Sequence, residues 1–371
     1  MNCPPHLLIP VLLPLLLSVA PVGADEFFGM QDDPFAVEIE QLADGVYVAR
    51  RTFPWRLPVQ ANVTIVINDE DVVLVDGAGL PAHAEHIIRA IRDLTDKPVS
   101  TILTTHWHGD HNLGYNVFRR EYPEVRIIAH EKTRYVMANG AMEYALGATE
   151  EEIAPGIERM NKRAAEAEAA GEPAEIVAYW KSYAIDYGPQ TREYIDIEIV
   201  LADETFSDRY VLHRGDRTIE FLYVGNANTD GDAILWLPRE KIIASGDIVV
   251  GPTPYGFGSY PAEWGDTLRA IKALDYDILV PGHGNVQRDT VYVDALIALM
   301  EDISEQGRAA VAAGVDSEDA MREAVDFSAH ERAIVGGDPL LQFLFERWFS
   351  EPIIESVYIE ATGGTVSQLD E

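Results

Sequence analysis

The segment His106-Trp107-His108-Gly109-Asp110-His111 puts three imidazoles and a carboxylate into one short stretch of chain. Zinc takes neutral imidazole and carboxylate ligands, usually in a tetrahedral shell. His106 and His108, one residue apart, can converge on one ion. Asp110 and His111 are adjacent and point different ways, so they suit a second. Two later residues offer the same chemistry. Asp247, after Ser245-Gly246, is a carboxylate able to bridge two cations. His283 lies between Gly282 and Gly284 and can turn inward without steric cost.

The elements that must position these side chains are short apolar runs. Val99–Leu103 reads as the strand that delivers the histidine loop. Val46–Ala49, Asn62–Ile67, Val72–Val75, Val125–Ala129, Arg209–Leu212, Thr218–Val224, Ala233–Leu237, Ile242–Ala244 and Ile278–Val280 read as further strands. Turn signals such as Asp44-Gly45, Asn68-Asp69 and Gly215-Asp216 punctuate them. Ala84, Ile87, Ile88, Ile91 and Leu94 recur at helical spacing behind Pro81, a residue suited to a first helical turn. His83 and His86 on that helix lack the i, i+4 spacing of a helical metal pair and read as surface or packing residues. Four polar loops begin where a strand ends: His106–His111, Asn228–Asp232, Gly246-Asp247 and Pro281–Gly284. Loops at the same ends of neighbouring strands converge on one site. Between about 131 and 190 the composition turns to Ala and Glu and predicts a helical insertion, with Glu166 and Glu168 on a solvated face. The chain after Ile278–Val280 reads as mostly helical.

The chain has 371 residues, is 47% apolar and carries a formal charge of −34. Such acidity argues against nucleic acid and anionic lipid as partners and favours neutral or cationic small molecules. Residues 1–24 hold no charged side chain, and Leu7–Val19 is apolar but shorter than the roughly 20 residues of a membrane span. Val22-Gly23-Ala24 follows, so 1–24 reads as a secretory signal peptide and 25–371 as a single domain, periplasmic or secreted, with no stable membrane insertion once the leader is removed. A retained anchor is the alternative. Cys3 lies in the leader, which leaves His, Asp, Glu and water to hold any metal in the mature chain. Oligomeric state is not readable.

Thr104-Thr105-His106-Trp107-His108-Gly109-Asp110-His111, then Thr229-Asp230-Gly231-Asp232, Ser245-Gly246-Asp247 and Pro281-Gly282-His283-Gly284 resemble, in order, the motifs of the metallo-β-lactamase superfamily. The resemblance covers roughly Ile39 to His283. It implies an α+β four-layer αββα sandwich with metals at one edge between two sheets, here with a helical insertion and a helical C-terminal extension. It implies that His106 and His108 match one zinc site, Asp110, His111 and His283 the other, and Asp247 the bridge. The family's Gly-His-Thr motif is altered: the aligned stretch is Gly225-Asn226-Ala227-Asn228-Thr229, with Asn228 in place of the histidine. An amide oxygen is a weak zinc ligand. The expectation is therefore unequal zinc sites, firm at Asp110/His111/His283 and weak at His106/His108.

The implied activity is zinc-dependent hydrolysis of a small ester, lactone, amide or β-lactam-like bond. Bound zinc lowers the pKa of water from about 15.7 to about 7. Asp110 would orient or deprotonate that water, and Asn228 could donate its amide hydrogens to the developing oxyanion. If the weak site is empty, His106 or His108 could act as general base. Two rivals stand beside this: phosphate or sulfate ester hydrolysis, and a degenerate non-catalytic fold that binds a ligand or metal. The loop from Gly251 to Trp264 holds Tyr255, Phe257, Tyr260 and Trp264 and reads as an aromatic wall for an apolar substrate. Trp107 reads as packing beneath the site, and Trp55 and Arg56 as a flap over it.

Overall fold

The computed structural model describes residues 33–51 and 60–369. The leader, Cys3 and the Trp55/Arg56 flap lie outside the described residues. Seven strands form the first sheet in sequence order: β1 (Glu38–Ala43), β2 (Val46–Arg50), β3 (Val63–Ile67), β4 (Val72–Val75), β5 (Val99–Leu103), β6 (Arg126–His130) and β7 (Glu204–Phe206). Neighbours are antiparallel up to β4 and parallel from β4 to β7. The parallel steps are crossed by α1 (Pro81–Leu94) and by α2 (Gly109–Asn112) with α3 (Tyr115–Glu121). The last step carries the helical insertion: α4 (Glu131–Ala138), α5 (Ile153–Ala170) and α6 (Ala174–Tyr194).

The second sheet has the order β12-β11-β10-β9-β8, built from β8 (Arg209–Arg214), β9 (Arg217–Tyr223), β10 (Ala233–Leu237), β11 (Ile242–Ala244) and β12 (Ile278–Val280). Gly215 at φ +57 turns the β8–β9 hairpin, a backbone conformation that favours glycine. Helix α7 (Pro261–Lys272) crosses from β11 to its parallel partner β12. The C-terminal region adds α8 (Val291–Ala312), α9 (Glu318–Ala324), α10 (Ser328–Val335), α11 (Pro339–Phe345) and α12 (Ile353–Ala361).

Strand alternation assigns the layers. In β4, Val73 and Val75 face the second sheet, where they pack with Leu235, Leu237 and Ala244. Val72 and Leu74 face the opposite way, onto Ile87 and Ile91 of α1 and Phe118 of α3. In β10, Leu235 and Leu237 join the inter-sheet core, whereas Ile234 and Trp236 meet Leu268 of α7 and Leu296 and Met300 of α8. Both sheets are thus covered on both faces, which is why their central strands are continuous apolar runs rather than alternating ones. The result is the αββα sandwich. Among the described residues no helix is long and apolar enough to cross a membrane.

Two parts depart from the sequence reading. Strand β7 is three residues long, and a run that short carries no periodic signal. The second departure is the aromatic loop. Trp264 is fully buried in the helix-covered core and its indole donates to the Ile248 carbonyl at 3.0 Å. Tyr260 is also buried, its hydroxyl donating to the Val366 carbonyl. Both serve the core because α7 begins at Pro261 and turns their faces inward. Tyr255 alone of the four lines the cavity described below, and the half-exposed Phe257 stacks on it at 4.8 Å.

Candidate metal centre

The loop after β5 is held by its own polar residues. Asn112 Nδ2 donates to the carbonyls of Trp107 (2.9 Å) and His108 (2.8 Å). Asp76, at the end of β4 with φ +62, accepts from the Thr105 amide (2.8 Å) and hydroxyl. The same carboxylate lies 2.8 Å from His111 Nδ1. A carboxylate only accepts, so His111 donates from Nδ1 and turns the Nε2 lone pair inward. His283 Nδ1 donates to the Gln60 carbonyl at 3.1 Å, with the same consequence for its Nε2. His106 Nδ1 is 3.0 Å from Thr105 Oγ1, whose own hydrogen goes to Asp76.

Three of the four strand-end loops supply the donor atoms that meet here. Two groups of donor atoms form, His106/His108/Asp247 and Asp110/His111/His283, and within each the atoms lie within 4.8 Å of one another. His106 Nε2 is 3.0 Å from His108 Nδ1 and 3.7 Å from Asp247 Oδ2. His283 Nε2 is 2.9 Å from Asp110 Oδ2, and His111 Nε2 is 3.8 Å from the same oxygen. Asp247 spans the two groups, its Oδ1 lying 3.2 Å from His111 Nε2 and 3.5 Å from His283 Nε2. Close approach makes this possible. Gly246 adopts φ +52 with its α-carbon against Thr105, and a Cβ on Gly282 would overlap Asp247 Oδ1.

The electrostatics follow from burial and the two carboxylates. For His283, burial favours the neutral ring, but Asp247 and Asp110 outweigh it and push the group up to about 9. His111 is driven the same way, burial being overcome by Asp247, Asp110 and Asp76. His106 and His108 are held low, the latter to about 4, chiefly by burial. Asp110 and Asp247 stay ionised because the imidazoles offset their burial. His111 Nε2 and Asp247 Oδ1 are buried without a hydrogen-bond partner. Such atoms are costly to leave unmatched, and a divalent cation between them satisfies both. Six nitrogen and oxygen donors in two groups fit such an ion.

Asn228 is fully buried. Its Nδ2 donates to the Tyr255 carbonyl at 3.1 Å and its Oδ1 has no hydrogen-bond partner. Tyr255 in turn sets its ring 5.5 Å from that of His108. Trp107 is 2% exposed, and its indole donates to the side-chain oxygen of Gln368, near the C-terminal end of the chain, at 2.7 Å. His83 is fully buried with neither ring nitrogen hydrogen-bonded, and His86 lies 2.6 Å from Asp33.

Above the donor groups is a cavity of about 440 Å³. His108, Asp110, Asp247 and His283 form its floor. Its walls include Tyr144, Tyr183 and Tyr194 of the insertion and Trp348 of the C-terminal region. The Tyr144 hydroxyl accepts from the Gly109 amide at 3.0 Å, so the insertion touches the histidine loop directly. Neither these four residues nor Asp76 was singled out by sequence reasoning. Asp76 had a signal, an Asp-Gly pair ending a fully apolar strand. The aromatic residues had none, being scattered along helices and turns remote from the motifs.

Fold and site together define a class: an αββα protein with a candidate binuclear metal centre at strand ends. The chain belongs to the metallo-β-lactamase superfamily, whose family model matches residues 56–283. It is 23% identical over 245 residues to a linear primary-alkylsulfatase of Pseudomonas sp. (strain ATCC 19151), covering 63% of this chain but 43% of that protein. It is 22% identical to a type 2 metallo-β-lactamase of Bacteroides fragilis, covering 74% of this chain and 88% of the relative. In three dimensions it is similar to a metallo-β-lactamase from Pontibacter korlensis, with TM-score 0.48, 17% identity, and coverage of 72% of this chain and 99% of that one.

Proposed function

We propose that this protein is a zinc-dependent hydrolase of a small ester, lactone, amide or β-lactam-like bond. The observation that carries the reading is the pair of donor groups joined by Asp247 on the floor of a substrate-sized cavity. His106, His108 and Asp247 would hold one ion, and Asp110, His111 and His283, with Asp247 between, the other. Bound ions would supply Lewis acidity and a water acidified to near neutrality. Asp110 Oδ2 would orient that water and take its proton. His283 Nε2, 2.9 Å from that oxygen, would share the same ion with it. Asn228 has one amide hydrogen on the Tyr255 carbonyl. The other would serve the developing oxyanion. The apolar leader supports a periplasmic or secreted protein, which N-terminal sequencing of exported material would check.

The test is a panel of a chromogenic ester, a lactone, a cephalosporin, a phosphoester and an alkyl sulfate, each with chelator and with added zinc. Zinc-restored cleavage of an ester, lactone, amide or β-lactam is expected. Cleavage confined to the sulfate would favour the second reading, which the alkylsulfatase relative motivates. Metal content should show unequal sites: mild chelation removes one ion first, and Asn228→His retains it. Two equally tight ions in the unaltered chain would sink the asymmetry.

A further inference from the structure

We infer that the cavity is a specificity device for the part of the substrate that does not react, and that this part is uncharged and apolar. The inference rests on the hydrolase reading above. Six aromatic side chains line the cavity: Trp107, Tyr144, Tyr183, Tyr194, Tyr255 and Trp348. Among the described lining residues there is no lysine or arginine. An anionic substituent would find hydroxyl and amide donors there, on the tyrosines and Gln190, but no described cation to offset the loss of its hydration, and a buried charge without a counter-charge is expensive. Burial, with Asp110 adding, pushes the Tyr194 hydroxyl up to about 12. Aromatic faces instead reward a flat or aliphatic group with buried area.

The walls come from outside the two-sheet framework. Tyr144 sits in the turn Glu143–Ala145, Tyr183 and Tyr194 on α6, and Trp348 in the turn Glu346–Ser350. The insertion and the C-terminal region also pack on each other, through Ile176 and Tyr179 against Leu340 and Leu344. The floor supplies the chemistry, and these additions select what reaches it. Only the non-reacting group is sorted this way, because the scissile group lies on the floor with the donor residues.

The experiment compares two esters with the same scissile bond on the zinc-loaded full chain. One is 4-nitrophenyl hexanoate and the other the 4-nitrophenyl monoester of adipic acid, which ends in a carboxylate. The neutral ester is expected to show kcat/KM roughly tenfold higher or more. Equal or better use of the carboxylate ester overturns the inference. Tyr144 is largely exposed at the rim, so Tyr144→Arg is not expected to unfold the chain. That variant should move the ratio of the two kcat/KM values toward the carboxylate ester, whereas Tyr144→Phe should not. A ratio cancels any common loss of activity; an unmoved ratio in Tyr144→Arg counts against the inference. If neither ester is cleaved, the ester reading falls, and the inference is judged by binding. Tryptophan-fluorescence titration with N-phenylhexanamide and adipic acid monoanilide should then show tighter binding of the neutral amide. Equal binding, or tighter binding of the anion, overturns it.

Discussion

At the residue scale, the centre depends on how closely backbone and carboxylate approach. A Cβ at Gly282 would overlap Asp247 Oδ1. Gly282→Ala should displace Asp247, cost about 1–3 kcal/mol of stability and reduce bound metal, checked by thermal melts and metal analysis. Asp232 offers a pH test. It is buried and accepts from the Thr229 amide and hydroxyl, both at 2.8 Å. Burial, only partly offset by those bonds, pushes its carboxyl up to about 8. This folded value lies above the unfolded 3.8. Its contribution to stability is therefore complete below that unfolded value and is lost as pH rises towards 8. Asp232→Asn imitates the protonated form, so it should be more stable than the parent at about pH 9, by on the order of a few kcal/mol, with the gain vanishing near pH 4. Denaturant melts across that range check it; a gain that grows toward acid would refute it. Six of the residues at the centre were legible because each sits in a polar motif directly after an apolar strand. Asp76 was not, since a lone aspartate at a strand end is as readily a turn residue.

At the element scale, four strand ends carry the site, and their lengths and apolar runs were readable. Strands β4, β5, β10, β11 and β12 coincide with the runs expected of them. The loop after β11 departs from its reading because aromatic composition does not reveal which face a side chain takes. Trp264 instead pins the turn that holds Asp247, through its bond to Ile248. Trp264→Phe keeps most of the buried area but leaves that carbonyl unpaired. It should cost about 1–3 kcal/mol and make zinc easier to remove, measured by denaturation and chelator titration. An unchanged zinc retention would separate Trp264 from the centre.

At the scale of the whole molecule, the charge of −34 surrounds a cavity whose described lining lacks cations. Anionic substrates should approach slowly at low salt. Raising ionic strength from about 0.01 M to about 0.5 M shortens the Debye length from about 30 Å to under about 8 Å. Then kcat/KM for the carboxylate ester should rise a few-fold and that for the neutral ester stay flat. A parallel response of both would show that the surface charge does not act on substrate.

The sequence by itself determined the inventory of the site: the strands that lead into it, the loops that follow them, and the six side chains that could hold metal. Those properties are local, written in apolar runs and in the residue types beside them. The tertiary structure decided how Asp247 stands between the two donor groups, which buried carboxylate turns His111, and which aromatic residues wall the cavity. Tyr144, Tyr194 and Trp348 lie far from the motifs along the chain, on elements whose packing brings them over the floor. Periodicity says which face of a helix is buried, but not against what.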